Sequence, residues 1–258
     1  MAASLESKVF VVTGGASGMG LSTCRILAKA GAKAISIGDY NDANFSAVRE
    51  ELHKINPSTE VETVKLNVSS SSEVSSWIKG VVSKFKGLDG AVNAAGVAQT
   101  LGTRKSPGIL EETDEMWDRV LGINLSGIFY CCREQIRAMS DLPKGTSRSI
   151  VNIASIASLI HGGDTFSYGV SKAGNAYLTG CLAKDVLPHG IRVNAVSPGA
   201  TNTPMLSQFF APEAAGAIDT QGFGLVQPTD IAQAVVWLLS DESSQISGVN
   251  LPVGPGAP

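Results

Sequence analysis

Apolar residues along this chain alternate between two rhythms: short unbroken runs rich in β-branched side chains, and longer stretches where they recur every third or fourth position. The runs are Lys8-Val9-Phe10-Val11-Val12, Ala34-Ile35-Ser36-Ile37-Gly38, 61–68, 89–94, 150–154, 191–197 and 249–253, and they read as buried strands. Between them, the helical period predicts a helix after the first run, with Leu21, Cys24, Leu27 and Ala28 on one face, and others near 41–56, 71–84, 114–138, 167–186 and 229–239. Strands that stay apolar throughout have both faces covered, as parallel sheets require. Their alternation with helices predicts right-handed crossovers and an α/β, doubly wound parallel sheet. No linker, repeat or low-complexity tract breaks the pattern, so residues 1–258 are expected to form one domain, in which only about 201–227 lacks a period.

The polar residues at the strand ends suggest chemistry. Thr13-Gly14-Gly15-Ala16-Ser17-Gly18-Met19-Gly20 joins the first strand to the first helix. Glycines there allow a sharp turn and a close backbone approach to a pyrophosphate, and the helix start offers unpaired N–H groups. The second strand ends at Asp39, where a carboxylate is expected to accept the adenosine ribose hydroxyls. Tyr168 and Lys172 stand at i and i+4 on a predicted helix, and Ser155 closes the run Ile150-Val151-Asn152-Ile153-Ala154. An ammonium beside a phenol is expected to lower the phenol's pKa, making it a proton shuttle. Strand end and helix then converge on one substrate oxygen.

These motifs, with Asn93-Ala94-Ala95-Gly96 after the fourth strand, Asn124 inside a helix and Ser197-Pro198-Gly199 after the sixth, occur in the order of the short-chain dehydrogenase/reductase family, which the chain resembles over nearly its whole length. The resemblance implies a Rossmann-type, seven-stranded parallel sheet of order 3-2-1-4-5-6-7 and a catalytic tetrad of Asn124, Ser155, Tyr168 and Lys172. It implies that Gly14, Ser17, Gly18, Met19, Gly20, Asp39, Tyr40, Asn67, Val68, Asn93, Ala94, Gly96, Tyr168, Lys172, Pro198, Gly199, Thr201 and Thr203 hold the cofactor. Asn67-Val68 replaces the Asp-Val usual in the family, and its side chain is expected to meet the adenine amino edge. By the same resemblance, the Asn124 carbonyl holds a water serving Lys172. Lys172 also bridges the nicotinamide ribose, while Thr201 and Thr203 meet the carboxamide and a phosphate.

Substrate contacts are read from the residues themselves. Met205, Leu206, Phe209, Phe210, Phe223 and Leu225 make the segment after Pro198-Gly199 an apolar flap, and Ile156, Leu159 and Ile160 extend that wall. Apolar walls imply an apolar substrate, with His161 and Asp164 as candidates to orient a polar group on it. The expected reaction interconverts a secondary alcohol and a ketone on a bulky alicyclic, polyketide-like or terpenoid-like molecule, with NAD(H) as cofactor. Asp39 repels a 2′-phosphate, the glycine turn and Tyr40-Asn41 carry no cation, and Lys33 belongs at the far end of its strand. Two alternatives stay open: a non-redox enzyme such as an epimerase or cyclase that uses the bound cofactor, and a non-catalytic dinucleotide-binding protein.

A formal net charge of −3 with no dense Lys/Arg stripe argues against nucleic-acid binding. The amino terminus lacks a signal-peptide core and no run is long enough to span a membrane, which predicts a cytoplasmic protein. Cys24, Cys131, Cys132 and Cys181 lack metal-ligand spacing and read as reduced core thiols, and the three histidines are scattered, so no metal is expected. Gly174, with Ala173, Ala176, Gly180 and Cys181, is expected to let the Tyr168 helix pack against another subunit in a homo-oligomer, a tetramer or dimer. The tail Leu251-Pro252-Val253-Gly254 departs from the Asp-Gly common in relatives.

Overall fold

Strands β1 (Val9–Thr13), β4 (Gly90–Asn93), β5 (Arg148–Ile153) and β6 (Ile191–Pro198) are buried at every position, because helices cover both faces of the sheet they form. With β2 (Ala34–Asp39), β3 (Glu60–Lys65) and β7 (Asn250–Val253) they pair entirely in parallel, in the order β3-β2-β1-β4-β5-β6-β7. The computed structural model describes residues 5–99, 105–142, 147–209 and 224–255. The helices are α1 (Gly18–Lys29), α2 (Phe45–Ile55), α3 (Ser71–Phe85), α4 (Asp114–Leu121), α5 (Gly127–Ser140), α6 (Phe166–Asp185) and α7 (Pro228–Leu239). One apolar layer joins α1, α2 and α7 through Leu27, Val48, Leu52 and Val235; the other joins α3 and α5 through Val74, Trp77, Cys131 and Met139. No helix among the described residues is long and apolar enough to cross a membrane.

Local chemistry moves several boundaries. The helix expected from 41 begins at Phe45, because Asn41 Oδ1 accepts the Ala43 N–H at 3.1 Å and holds the chain in a turn. The third strand stops at Lys65, since Asn67 opens a turn over Ser69. Ser70 then caps α3 by accepting from Glu73 N–H, and Lys86 ends it in the left-handed region. The single helix expected over 114–138 is two α-helices joined by a π-helical stretch, Gly122–Ser126, whose apolar face hid the extra residue. Gly174 serves contact within the chain: a Cβ there would come within 3.0 Å of the Leu125 side chain, which explains the glycine without a second subunit. Cys181 is exposed, unlike the other three cysteines.

A polar chain crosses the interior between α5 and α6. Asn93 and Gln135 exchange amide hydrogen bonds at 3.0 and 2.8 Å, Asn93 Nδ2 donates to Asn152 Oδ1 at 2.9 Å, and Asn152 Nδ2 donates to Thr179 Oγ1 at 2.9 Å. All four side chains are buried, so each amide must find its partner inside the protein. Gln135→Leu keeps the volume but leaves the Asn93 oxygen without a donor. It is expected to lower the unfolding free energy by about 1–3 kcal/mol in a urea titration; an unchanged midpoint would refute this role.

Candidate active site

Two contiguous cavities lie along the carboxyl edge of the sheet. The larger, about 390 Å³, is lined by Gly14, Ser17, Gly18, Met19, Gly20, Asp39, Tyr40, Asn67, Val68, Ala94, Gly96, Thr203 and Met205, among others. The smaller, about 240 Å³, is lined by Ser155, Ile156, Tyr168, Lys172, Pro198, Gly199, Thr201 and Phe209, and shares Met19, Ala94, Gly96, Thr203 and Met205 with the first.

The turn that opens the first cavity is closed on itself. A Cβ on Gly20 would stand 2.2 Å from the Gly14 oxygen, and one on Gly14, at φ +65°, would stand 2.8 Å from Ala95 N. Only hydrogen atoms fit there. On Gly18, by contrast, the nearest atom to a Cβ would be Thr203 Cγ2 at 3.3 Å, so that residue borders the cleft between the turn and the 201–203 segment. Asp39 accepts the Ala16 N–H at 3.0 Å and the Asn41 N–H at 3.0 Å, which fixes its carboxylate at the end of β2 beside the turn. Bare backbone, an α-helix start and a fixed carboxylate along one cleft fit a dinucleotide.

Asn67 contributes differently from the expectation. Its Oδ1 accepts both the N–H and the hydroxyl of Ser69, at 3.1 and 2.7 Å, so the acceptor is spent on its own turn and the Nδ2 donor is what it presents. Asn93 is turned away from the cleft into the core network described above. Arg119 of α4 lines the larger cavity and, with Asp39, supplies the charged side chains there. Sequence reasoning missed it, since a lone arginine in an amphipathic helix carries no motif.

Ser155 follows β5 and caps a single turn, Ile156–Ser158, where its Oγ accepts the Ala157 N–H at 3.2 Å. Its hydroxyl pairs with the Tyr168 phenol. Tyr168 and Lys172 sit in the first two turns of α6, whose N-cap residue Thr165 makes no side-chain cap. Gln99 does that work instead: buried, its Oε1 accepts the Tyr168 N–H at 3.0 Å and the Ser167 hydroxyl at 3.2 Å. Lys172 Nζ donates to the Ile153 carbonyl at 2.9 Å and lies 5.6 Å from the Tyr168 ring centroid. Asn175 Nδ2 donates to the same carbonyl at 3.1 Å.

Burial decides the electrostatics. It pushes the Tyr168 phenol above its usual value, the reverse of the expected direction, and the bond from Ser155 only partly opposes that. The same desolvation lowers the Lys172 ammonium to about 8. Asn124 is fully buried in the π-helical stretch, where its side chain brackets Val97: Oδ1 accepts the Val97 N–H at 2.8 Å and Nδ2 donates to the Val97 carbonyl at 3.0 Å. Nδ2 also reaches Ser171 Oγ at 3.3 Å, so Asn124 ties the segment that follows Gly96 to α6.

The flap is partly visible. Phe209 meets the Tyr168 ring edge to face at 4.9 Å, and Met205 and Leu206 line the smaller cavity. Phe210 and Phe223 lie outside the described residues. His161 is exposed and does not line either cavity, so the structure does not bring it to the site.

Residues 14–257 match the family model described as enoyl-(acyl carrier protein) reductase. Two curated proteins are similar over 99% of this chain and 100% of their own length at 49% identity: a chanoclavine-I dehydrogenase of Penicillium roqueforti and one of Aspergillus fumigatus. Among solved structures, levodione reductase superposes with a TM-score of 0.87 at 29% identity, covering 98% of each chain. The 3-ketoacyl-(acyl-carrier-protein) reductase of Brucella melitensis, complexed with NADH, gives 0.85 at 30% identity, covering 98% of this chain and 99% of that one. With the strand order, the glycine turn and the Ser155, Tyr168 and Lys172 cluster at the mouth of one cleft, these matches show that the chain is an oxidoreductase belonging to the short-chain dehydrogenase/reductase family.

Proposed function

We propose that this protein is an NAD(H)-dependent dehydrogenase that interconverts an alcohol and its carbonyl on a bulky, largely apolar molecule, chanoclavine-I or an alcohol of that kind. The observation that carries the reading is the buried Ser155–Tyr168 hydroxyl pair beside Lys172, in a small cavity walled by Ile156, Met205, Leu206 and Phe209 and continuous with the glycine-lined cleft. A dinucleotide held in that cleft supplies the hydride acceptor in one direction and the donor in the other.

In oxidation, Tyr168 Oη takes the proton of the substrate hydroxyl. Ser155, with one lone pair held by the Ala157 N–H, keeps its own proton to donate to the same substrate oxygen. Lys172, anchored on Ile153, favours the phenolate from beneath the ring, and its remaining N–H donors are placed for ribose hydroxyls. Asn124 keeps Val97 and α6 in register and packs on Gly96, where a Cβ would stand 3.2 Å from Asn124 Oδ1 and 3.7 Å from Lys172 Nζ. Phe209 covers the Tyr168 ring and excludes water from it. We further propose that the enzyme assembles as a homo-oligomer, supported by the exposed Val170 and Tyr177 on α6 and Phe129 on α5.

For the cofactor, Asp39 accepts from a ribose 2′-hydroxyl and repels a phosphate in its place. Lys33 is remote from that point, since its Nζ donates to the Phe85 carbonyl at 3.3 Å.

Tyr168→Phe retains the ring but removes the proton carrier. It is expected to reduce turnover of chanoclavine-I or a related alcohol by on the order of 100-fold or more, while NADH still binds with near-parental affinity in a fluorescence titration. Near-normal turnover would sink the assignment. For the cofactor, the parent enzyme is expected to show a higher kcat/KM with NAD than with NADP, and Asp39→Ala with Tyr40→Arg to reverse the order. A parent preference for NADP would overturn that choice.

Burying Lys172 also has a thermodynamic sign. Its folded pKa of about 8 lies below the 10.5 of an ordinary lysine, so the unfolded chain binds more protons between these values and stability rises with pH across that window. The penalty is therefore complete below about 8 and has largely gone by 10.5. Lys172→Met is expected to melt higher than the parent at pH 7 and to lose that advantage by pH 9.5, while its turnover falls. A constant gap in melting temperature across pH would refute the buried-charge account.

A further inference from the structure

β7 reaches the Ser155 turn through a chain of side chains that lie outside both cavities. Asn250 Nδ2 donates to Ser158 Oγ at 3.0 Å, and Ser158 Oγ donates to the Ser155 carbonyl at 2.7 Å. Ser197 Oγ, from wholly buried Ser197 on β6, donates to Asn250 Oδ1 at 2.6 Å. The Ser158 and Ser197 hydroxyls also lie 3.1 Å apart. Each has one proton to give, and with the Ser158 proton on the Ser155 carbonyl and the Ser197 proton on Asn250 Oδ1 neither is left for that contact.

We propose that Ser158 is a positioning residue for Ser155, with Asn250 of the carboxyl-terminal strand fixing the direction in which Ser158 donates. The inference rests on the reading of Ser155 as the hydroxyl that meets substrate. The Ser155 carbonyl also accepts the Ser158 N–H at 2.8 Å, so two donors from one residue set the plane of the peptide that leaves Ser155. That plane begins the turn whose Ala157 N–H holds Ser155 Oγ, and an oxygen held on one side presents its proton on the other, toward Tyr168. Asn250 donates into the Ser158 oxygen and polarises its hydroxyl, strengthening the bond that Ser158 makes. The edge strand thereby acts on the reaction centre without touching it.

A merely structural role would lower stability alone. A positioning role also changes the pH profile, because the Ser155 bond is what opposes the rise that burial imposes on Tyr168. With that donor misaligned, Tyr168 ionises at higher pH in the enzyme before the substrate takes the Ser155 proton, and the limb of kcat/KM that rises with pH in the oxidising direction moves upward.

The experiment compares Ser155→Ala, Ser158→Ala, Asn250→Asp and the Ser158→Ala/Asn250→Asp pair in the full-length enzyme, with chanoclavine-I and NAD. Ser158→Ala is expected to lower kcat on the order of tenfold and raise the pH limb of kcat/KM by about half a unit or more, with NADH affinity within about twofold of the parent. Asn250→Asp keeps the volume but replaces the N–H donor with an acceptor that draws the Ser158 proton off Ser155. It should act in the same direction, and add nothing once Ser158 is alanine. If Asn250→Asp moves the limb equally in the Ser158→Ala background, it acts through its own charge and the proposed chain is overturned. Parental kcat and pH limb in Ser158→Ala, beside a damaged Ser155→Ala, overturn the inference and leave the site reading standing. Full activity in Ser155→Ala overturns both.

Discussion

The carbonyl of Ile153 is the point on which sheet and helix depend. β5 ends there, and Lys172 and Asn175, neighbouring turns of α6, both donate to it. A carbonyl has two lone pairs, and this one gives both to the helix that also carries Tyr168. Because the bonds form in a dry interior, breaking either would strand a polar group at a cost of about 1–3 kcal/mol. The phenol, the ammonium and the end of the strand therefore hold a common frame. Ser155, two residues beyond Ile153 on the same strand extension, inherits its position from it.

That frame is costly to build. Lys172 and Tyr168 are both disfavoured as ions by burial, and the side-chain oxygen of Asn175 has no hydrogen-bond partner among the described residues. The surrounding fold bears these local penalties through two continuous apolar layers and the amide network around Asn93, Gln135 and Asn152. Local instability at a site held by a rigid surround is the arrangement that proton transfer demands, since a group comfortable in one charge state would be slow to leave it.

Much of this was legible in the sequence because the motifs are local. A glycine turn between a strand and a helix, an acid at the next strand end, and Tyr168 with Lys172 on one helix face each follow from period and spacing, and strand order followed from the family those motifs resemble. The rest depends on contacts between residues far apart in the chain. Gln99 as the cap of α6, Gly174 beneath Leu125, and Asn93 facing Gln135 are pairings that no window of sequence contains. The direction of the Tyr168 shift was misread for a related reason. Spacing revealed the neighbouring charge but not the depth of burial, which raises the phenol and is a property of the assembled cleft. Arg119 was invisible because helical periodicity only marks it as a polar residue, and its cavity forms from other elements.

The π-helical stretch at Gly122–Ser126 exchanges helical regularity for the aim of one side chain. A π turn holds one residue more than the α-helix around it needs, and it survives where that surplus residue is used. Here the surplus aims Asn124 at Val97. Deleting one residue would let α4 and α5 merge into a smooth helix with better backbone geometry, and the chain would gain regularity as it lost the brace between the segment after β4 and α6. A straight helix through this stretch would be more regular in its backbone and would no longer present Asn124 to Val97, so the irregularity is itself part of the site's scaffold.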